Sequence, residues 1–151
     1  MNHMKRASSY IAIAACAVVA ASVPLGQATG QGASPPALDY QFFKDKVQAV
    51  FLHKRDGHSR CVACHTLNNA PLHLVPLSPG ATTWNEEQSR QNFQLVQKVA
   101  QPGFEGSKLV VHPLAEEAGG DPHHGGGQQF GSQNDPEWQT LKAFVLGAKL
   151  K

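Results

Sequence analysis

At 151 residues the chain is long enough for one domain with a modest core. Its 41% hydrophobic and 16% charged residues exclude a disordered chain. Removing Lys5 and Arg6, which fall in the N-terminal leader described next, from the 13 basic residues leaves 11 against 11 acidic ones. A neutral domain lacks the basic face that nucleic acid requires.

The chain begins with a short basic region, Met1 to Arg6. An uncharged, Ala-rich run follows from Tyr10 to Leu25, short of the ~20 residues that a membrane-spanning helix needs. Small residues come next at Ala28 and Gly30. This order predicts an export signal over 1–30, cleaved after Gly30. Two other readings remain. The run Ile-Ala-Ala-Cys ending at Cys16 resembles a bacterial lipobox, with a lipid anchor on Cys16, although the residues after it stay apolar. The leader can also be retained as an uncleaved anchor. All three send the domain across a membrane, so the expected location is periplasmic or otherwise exported, with anchoring in the last two cases.

Residues 31–38 read as a Gly/Pro-rich linker and 39–151 as the domain. Asp39 is a fair N-cap for a first helix. Its apolar residues Phe43, Val47, Val50 and Phe51 recur at helical spacing. A second helix is expected from Thr83, with Thr83 and Glu86 as a capping box and Phe93, Val96, Val99 and Ala100 as its buried stripe. Pro102-Gly103 ends it. A third begins at Asp135-Pro136, with Trp138, Leu141, Phe144 and Val145 on the apolar face. The nearest approach to a strand is Leu72 to Leu77, and its proline argues against a central one. The fold class is therefore all-α, with few helices and long loops. Loops of this length are unusual unless something fills the interior.

Between the first two helices stand Cys61, Cys64 and His65, in the order Cys-x-x-Cys-His. With Cys16 in the leader, these are the domain's two cysteines. A structural zinc site wants four ligands in two clusters, and no second cysteine cluster exists. A thioredoxin-like pair wants a strand before it and a helix after it. A disulfide leaves His65 without a role. Covalent haem c uses all three residues: each thiol forms a thioether with one haem vinyl, and His65 reaches the iron.

A helix before the motif and another at the C-terminus resemble the class I cytochrome c fold, in which loops wrap one covalently bound haem. That likeness implies that the terminal helices meet through aromatics, with Phe43 and Phe51 on one and Trp138 and Phe144 on the other. The segments PGFEGSKLVVHPL, GGDPHHGGGQQF and DPEWQTLKAFVLGA resemble the small monohaem cytochrome c domains of the planctomycete and acidobacterial type, from about Tyr40 to the end. The resemblance implies a periplasmic electron-transfer role. It also implies redox partner proteins, a membrane respiratory or photosynthetic complex among them.

One departure matters. Class I cytochromes use methionine as the second axial ligand, and here Met1 and Met4, both in the leader, are the only methionines. His53 and His58 lie in a polar turn and His73 shortly after the motif, which suits surface roles. His123 and His124 sit in a Gly-rich loop before the last helix, where class I folds place the methionine. Glycines let backbone lie close to a flat macrocycle. His124 matches the His-x-Gly-Gly-x-x-Phe stretch of the monohaem domains that the chain resembles, with Gly126, Gly127 and Phe130, and is the expected distal ligand; His112 is the second choice. The expected function is an exported single-electron carrier with a bis-His haem c, and no enzyme. The alternatives are a haem-based sensor or enzyme with an open or displaceable sixth position, and a fixed haem subunit of a larger membrane complex.

Overall fold

The first helix, α1 over 40–52, begins where the Asp39 carboxylate accepts the Phe42 N–H at 2.7 Å. It belongs to a computed structural model that describes residues 34–67 and 70–150. The expected leader, with Cys16, Met1 and Met4, lies outside the described residues. α1 changes pitch twice: an α turn at Tyr40–Phe42, a π segment at Phe43–Val47 and an α segment at Gln48–Leu52. In the π segment the Gln48 N–H bonds the Phe43 carbonyl, five residues back. Gln48 thus falls beneath Phe43 and joins Val47, Val50 and Phe51 on the buried face. The expected stripe is therefore the observed one, widened by a polar residue. Gln48 is accommodated because its Oε1 accepts from the Ser89 hydroxyl at 3.2 Å.

Gly57, at φ +76°, turns the chain toward α2, Cys61–His65, which carries the motif. The next segment, Leu72 to Leu77, is extended but has no ladder. The Val75 N–H donates to Asn92 Oδ1 and the Val75 carbonyl accepts from Trp84 Nε1, both at 2.7 Å. Side chains here do what a neighbouring strand would do. α3, Glu86–Val99, starts later than expected. Its capping box is Asn85 with Gln88, not Thr83 with Glu86. The buried Trp84, tied to Val75, holds the preceding backbone out of the helix, and Asn85 takes the cap. Val96 and Ala100 are buried as expected, Phe93 and Val99 are only half-buried, and Ser89 and Asn92 share the buried face.

α4, Lys108–Val111, is capped by the Ser107 hydroxyl, and a 3-10 turn follows at Glu116–Ala118. α5, Pro136–Val145, starts as expected: Asp135 Oδ1 accepts from Glu137 N at 2.8 Å and Trp138 N at 3.1 Å. Among the described residues there is no strand, and one isolated parallel bridge joins Leu114 to Phe130. The described domain is all-α.

α1 and α5 meet through Phe43 and Phe144, whose ring centroids lie 5.9 Å apart, and Phe93 of α3 joins them at 5.5 Å from Phe43. The expected Trp138 is not part of this contact. It is buried elsewhere and donates its Nε1–H to the Val110 carbonyl at 2.9 Å, fastening α5 to α4. Phe51 touches Phe43 from the side, at 6.4 Å. The described end of the expected linker is docked on the domain. Pro36 packs so closely on Gly103 and Gly147 that a Cβ at either would lie 2.8 or 2.6 Å from its ring.

Candidate cofactor site

α2 forms one wall of a cleft of about 730 Å³, within the size range of sites that enclose a ligand of several hundred daltons. Cys61, Cys64 and His65 all line it. The cysteines are free thiols, Cys61 half-buried and Cys64 exposed. Burial pushes the Cys61 thiol up, and Arg55 beside it acts in the opposite direction.

His65 is held from behind. Its Nδ1 lies 2.8 Å from the Leu72 carbonyl. A carbonyl can only accept, so Nδ1 carries a proton and, in the neutral ring, Nε2 keeps its lone pair. The Leu74 N–H donates to the His65 carbonyl at 2.6 Å, and Leu74 itself is fully buried. The Leu72–Leu74 stretch thus fixes both the backbone and the ring of His65.

The opposite wall is the Gly-rich loop. His124 Nδ1 donates to the Gly127 carbonyl at 2.5 Å, which again leaves Nε2 with its lone pair. Gly127 adopts φ +79°, a conformation that closes this tight loop and that L side chains rarely take. Burial is the main cause holding His124 below the ordinary histidine pKa, so its neutral, ligating form is favoured. The His65 and His124 rings face the same cleft with centroids 6.2 Å apart and planes inclined by 17°.

His112 also lines the cleft, 5.2 Å from His124 and steeply inclined to it. Its Nδ1 donates to Asp121 Oδ2 at 3.1 Å, and Asp121 is also paired with Lys108. His123 lines the cleft but is exposed. The other histidines are elsewhere: His53 bonds Glu137 at 2.9 Å, and His73 contacts the Leu67 carbonyl at 3.3 Å on the surface.

Among the described residues, no three His, Cys, Asp or Glu side chains converge as a metal cage. A haem would need few ligands from the chain, and His65 and His124 are the residues that would supply them. Their rings, with centroids 6.2 Å apart, are close enough for both to reach one group held in the cleft. The rest of the lining fits as well. Phe51, Leu72, Leu109, Phe130 and Leu141 are apolar, the charged members are Arg60, Lys98 and Lys108, and none is a carboxylate. Such a lining suits a flat apolar molecule bearing anionic groups. Gln129, buried on the same wall, has an Oε1 without a partner.

The carbonyls of Leu72 and Gly127 and the orphan Gln129 carry no sequence signal. Backbone groups look alike in a sequence, and the burial of one glutamine among many has no local cause. The same holds for Arg55, whose partner Glu137 lies 82 positions away. No family model, no curated protein and no solved structure matches the chain.

Proposed function

We propose that the domain carries one haem c, joined by thioethers to Cys61 and Cys64 and ligated by His65 and His124, and that it works as an exported single-electron carrier. The observation that carries this reading is the His65–His124 pair, 6.2 Å apart beside a Cys-x-x-Cys-His helix. When bound, the haem supplies a one-electron iron couple.

The chain's part is to hold that couple still. His65, fixed by the Leu72 carbonyl, presents Nε2 in one orientation, and the hydrogen bond strengthens it as a donor. His124 does the same from the other side through Gly127. A histidine pair in place of His/Met lowers the potential. With His65 and His124 each held by a backbone carbonyl, the chain would have little to move when an electron arrives. Export rests on the leader over 1–30, and the partners are redox proteins, in solution or in a membrane complex. Among the described residues, no helix is long and apolar enough to cross a membrane.

A sensor is the second reading, favoured by the half-exposed His124 on a loop fastened mainly to itself. Absorption and EPR spectra of the loaded protein in both oxidation states separate the two. A carrier gives low-spin iron throughout and no carbon monoxide adduct. High-spin iron that binds carbon monoxide overturns the carrier reading. Haem that acid–acetone extracts overturns covalent attachment.

A further inference from the structure

Beyond the end of α1, Arg55 turns its side chain inward until only 10% of it is exposed. The guanidinium lies 4.5 Å over the Phe130 ring, whose other surroundings include the cleft. It pairs with Glu137 in the first turn of α5. Its Nε and Nη1 have no partner. Glu137 is 27% exposed, and its second oxygen accepts from His53 Nδ1 at 2.9 Å. A buried ion pair of this kind is weak evidence for stability, because desolvation offsets the attraction. Its position therefore asks for another reason.

We infer that the Arg55–Glu137 pair sets the reduction potential of the group attached at Cys61, Arg55 raising it and Glu137 lowering it. The inference rests on the haem c reading above. Reduction adds one electron, drawn from an outside donor or electrode, and leaves every covalent bond in place. What distinguishes the two states at Arg55 is one unit of charge. A neighbouring cation disfavours the more positive, oxidised state, and a neighbouring carboxylate favours it. In a cleft of low dielectric such charges act at longer range than in water. Both charges stand just behind the cleft wall: Phe130, which lines the cleft, lies 4.5 Å beneath the Arg55 guanidinium, and Glu137 is paired with that guanidinium. In the intact pair they largely offset one another. The exposed His53 is the third group facing Glu137, so the measurement belongs at a pH above the ordinary histidine range.

The experiment is a spectroelectrochemical titration of the haem-loaded full chain and its variants. Glu137→Gln leaves Arg55 unmatched and should favour reduction by up to about tenfold, a rise of about 59 mV for one electron. Arg55→Gln should move the potential the other way. Arg55→Lys keeps the charge and should stay near wild type, and the double variant Arg55→Gln with Glu137→Gln should return toward it. Should Arg55→Gln fail to fold, Glu137→Gln and Arg55→Lys carry the test. A low-spin spectrum in every variant shows that the axial ligands are unchanged. A potential that ignores Glu137→Gln, or falls with it, overturns the inference and leaves the haem reading standing. A chain that carries no covalent haem overturns both.

Discussion

The two walls of the cleft present the same chemical group in unequal settings. His65 stands at the end of a helix, and the segment holding it is anchored by the fully buried Leu74. From there the bonds run on to Asn92 and Trp84 on and before α3. His124 stands in a loop whose Gly125 has no neighbour within 4 Å of an added Cβ, and its own bond is to Gly127, three residues on. That loop is tied to the domain lower down, where Gln129 N and Phe130 N reach the Pro113 carbonyl and Ala115 N reaches Phe130 O. One imidazole is thus a fixture of the core and the other is carried on a hoop. Equal side chains in unequal settings should respond unequally to damage.

The largest expected effect lies on the fixed wall. Cys61→Ala with Cys64→Ala should abolish covalent attachment, so that the intact mass loses one haem and the pigment becomes extractable. On the proposed haem reading much of the fold should go with it, because the cleft would then lose the group that fills it. His124→Ala should be milder for the fold and sharper in the spectrum. The iron should turn high-spin and bind carbon monoxide, while far-UV circular dichroism stays near wild type. His124→Met should keep a sixth ligand and raise the potential. If His112→Ala gives the high-spin species and His124→Ala does not, the two histidines have exchanged roles and the soft side of the comparison lies at α4.

Smaller changes test the packing. Leu74→Ala should cost about 2–5 kcal/mol in denaturant titrations, as large-to-small core changes do. Gly125→Ala should stay within about 0.5 kcal/mol. Comparable losses at both sites would mean that the hoop is as tightly held as the core. The smallest effect concerns Asp121, at the root of the hoop. Its bonds to Lys108 and to the His123 N–H hold its carboxyl well below the usual carboxylate range. On acidification the unfolded chain takes up the proton first. The stability that Asp121 lends is therefore present well above about pH 3.9 and is lost as the pH falls below that value. Asp121→Asn should be slightly less stable than wild type at neutral pH, and the gap should close in acid.

The helix faces were legible because they follow from period alone: Phe43, Val47, Val50 and Phe51, and Trp138, Leu141, Phe144 and Val145, are all buried. The Asp135-Pro136 start was legible because a cap is a local device. The start of α3 was misplaced because it depends on Trp84, which is held by a carbonyl in another segment. The π segment escaped notice because an apolar spacing of four and three suits an α-helix just as well. Within the site, the three motif residues were contiguous and could be read directly. His124 could be placed only by its loop and by the lack of a methionine. Arg55, Glu137, Gln129 and the two carbonyls became visible only once distant segments were side by side.

Gly120, at the neck of the hoop, carries a consequence for inheritance. A Cβ there would lie 1.9 Å from the Leu114 carbonyl oxygen, and that carbonyl is backbone that cannot swing aside. Every single-base change that replaces a glycine adds a Cβ. Codon 120 therefore has no mild missense allele: even alanine must force the neck open. The cost would appear four residues away, as a histidine of unaltered identity that no longer meets its partner across the cleft. Selection acting on the pairing of His65 with His124 would then preserve a residue that is neither of them.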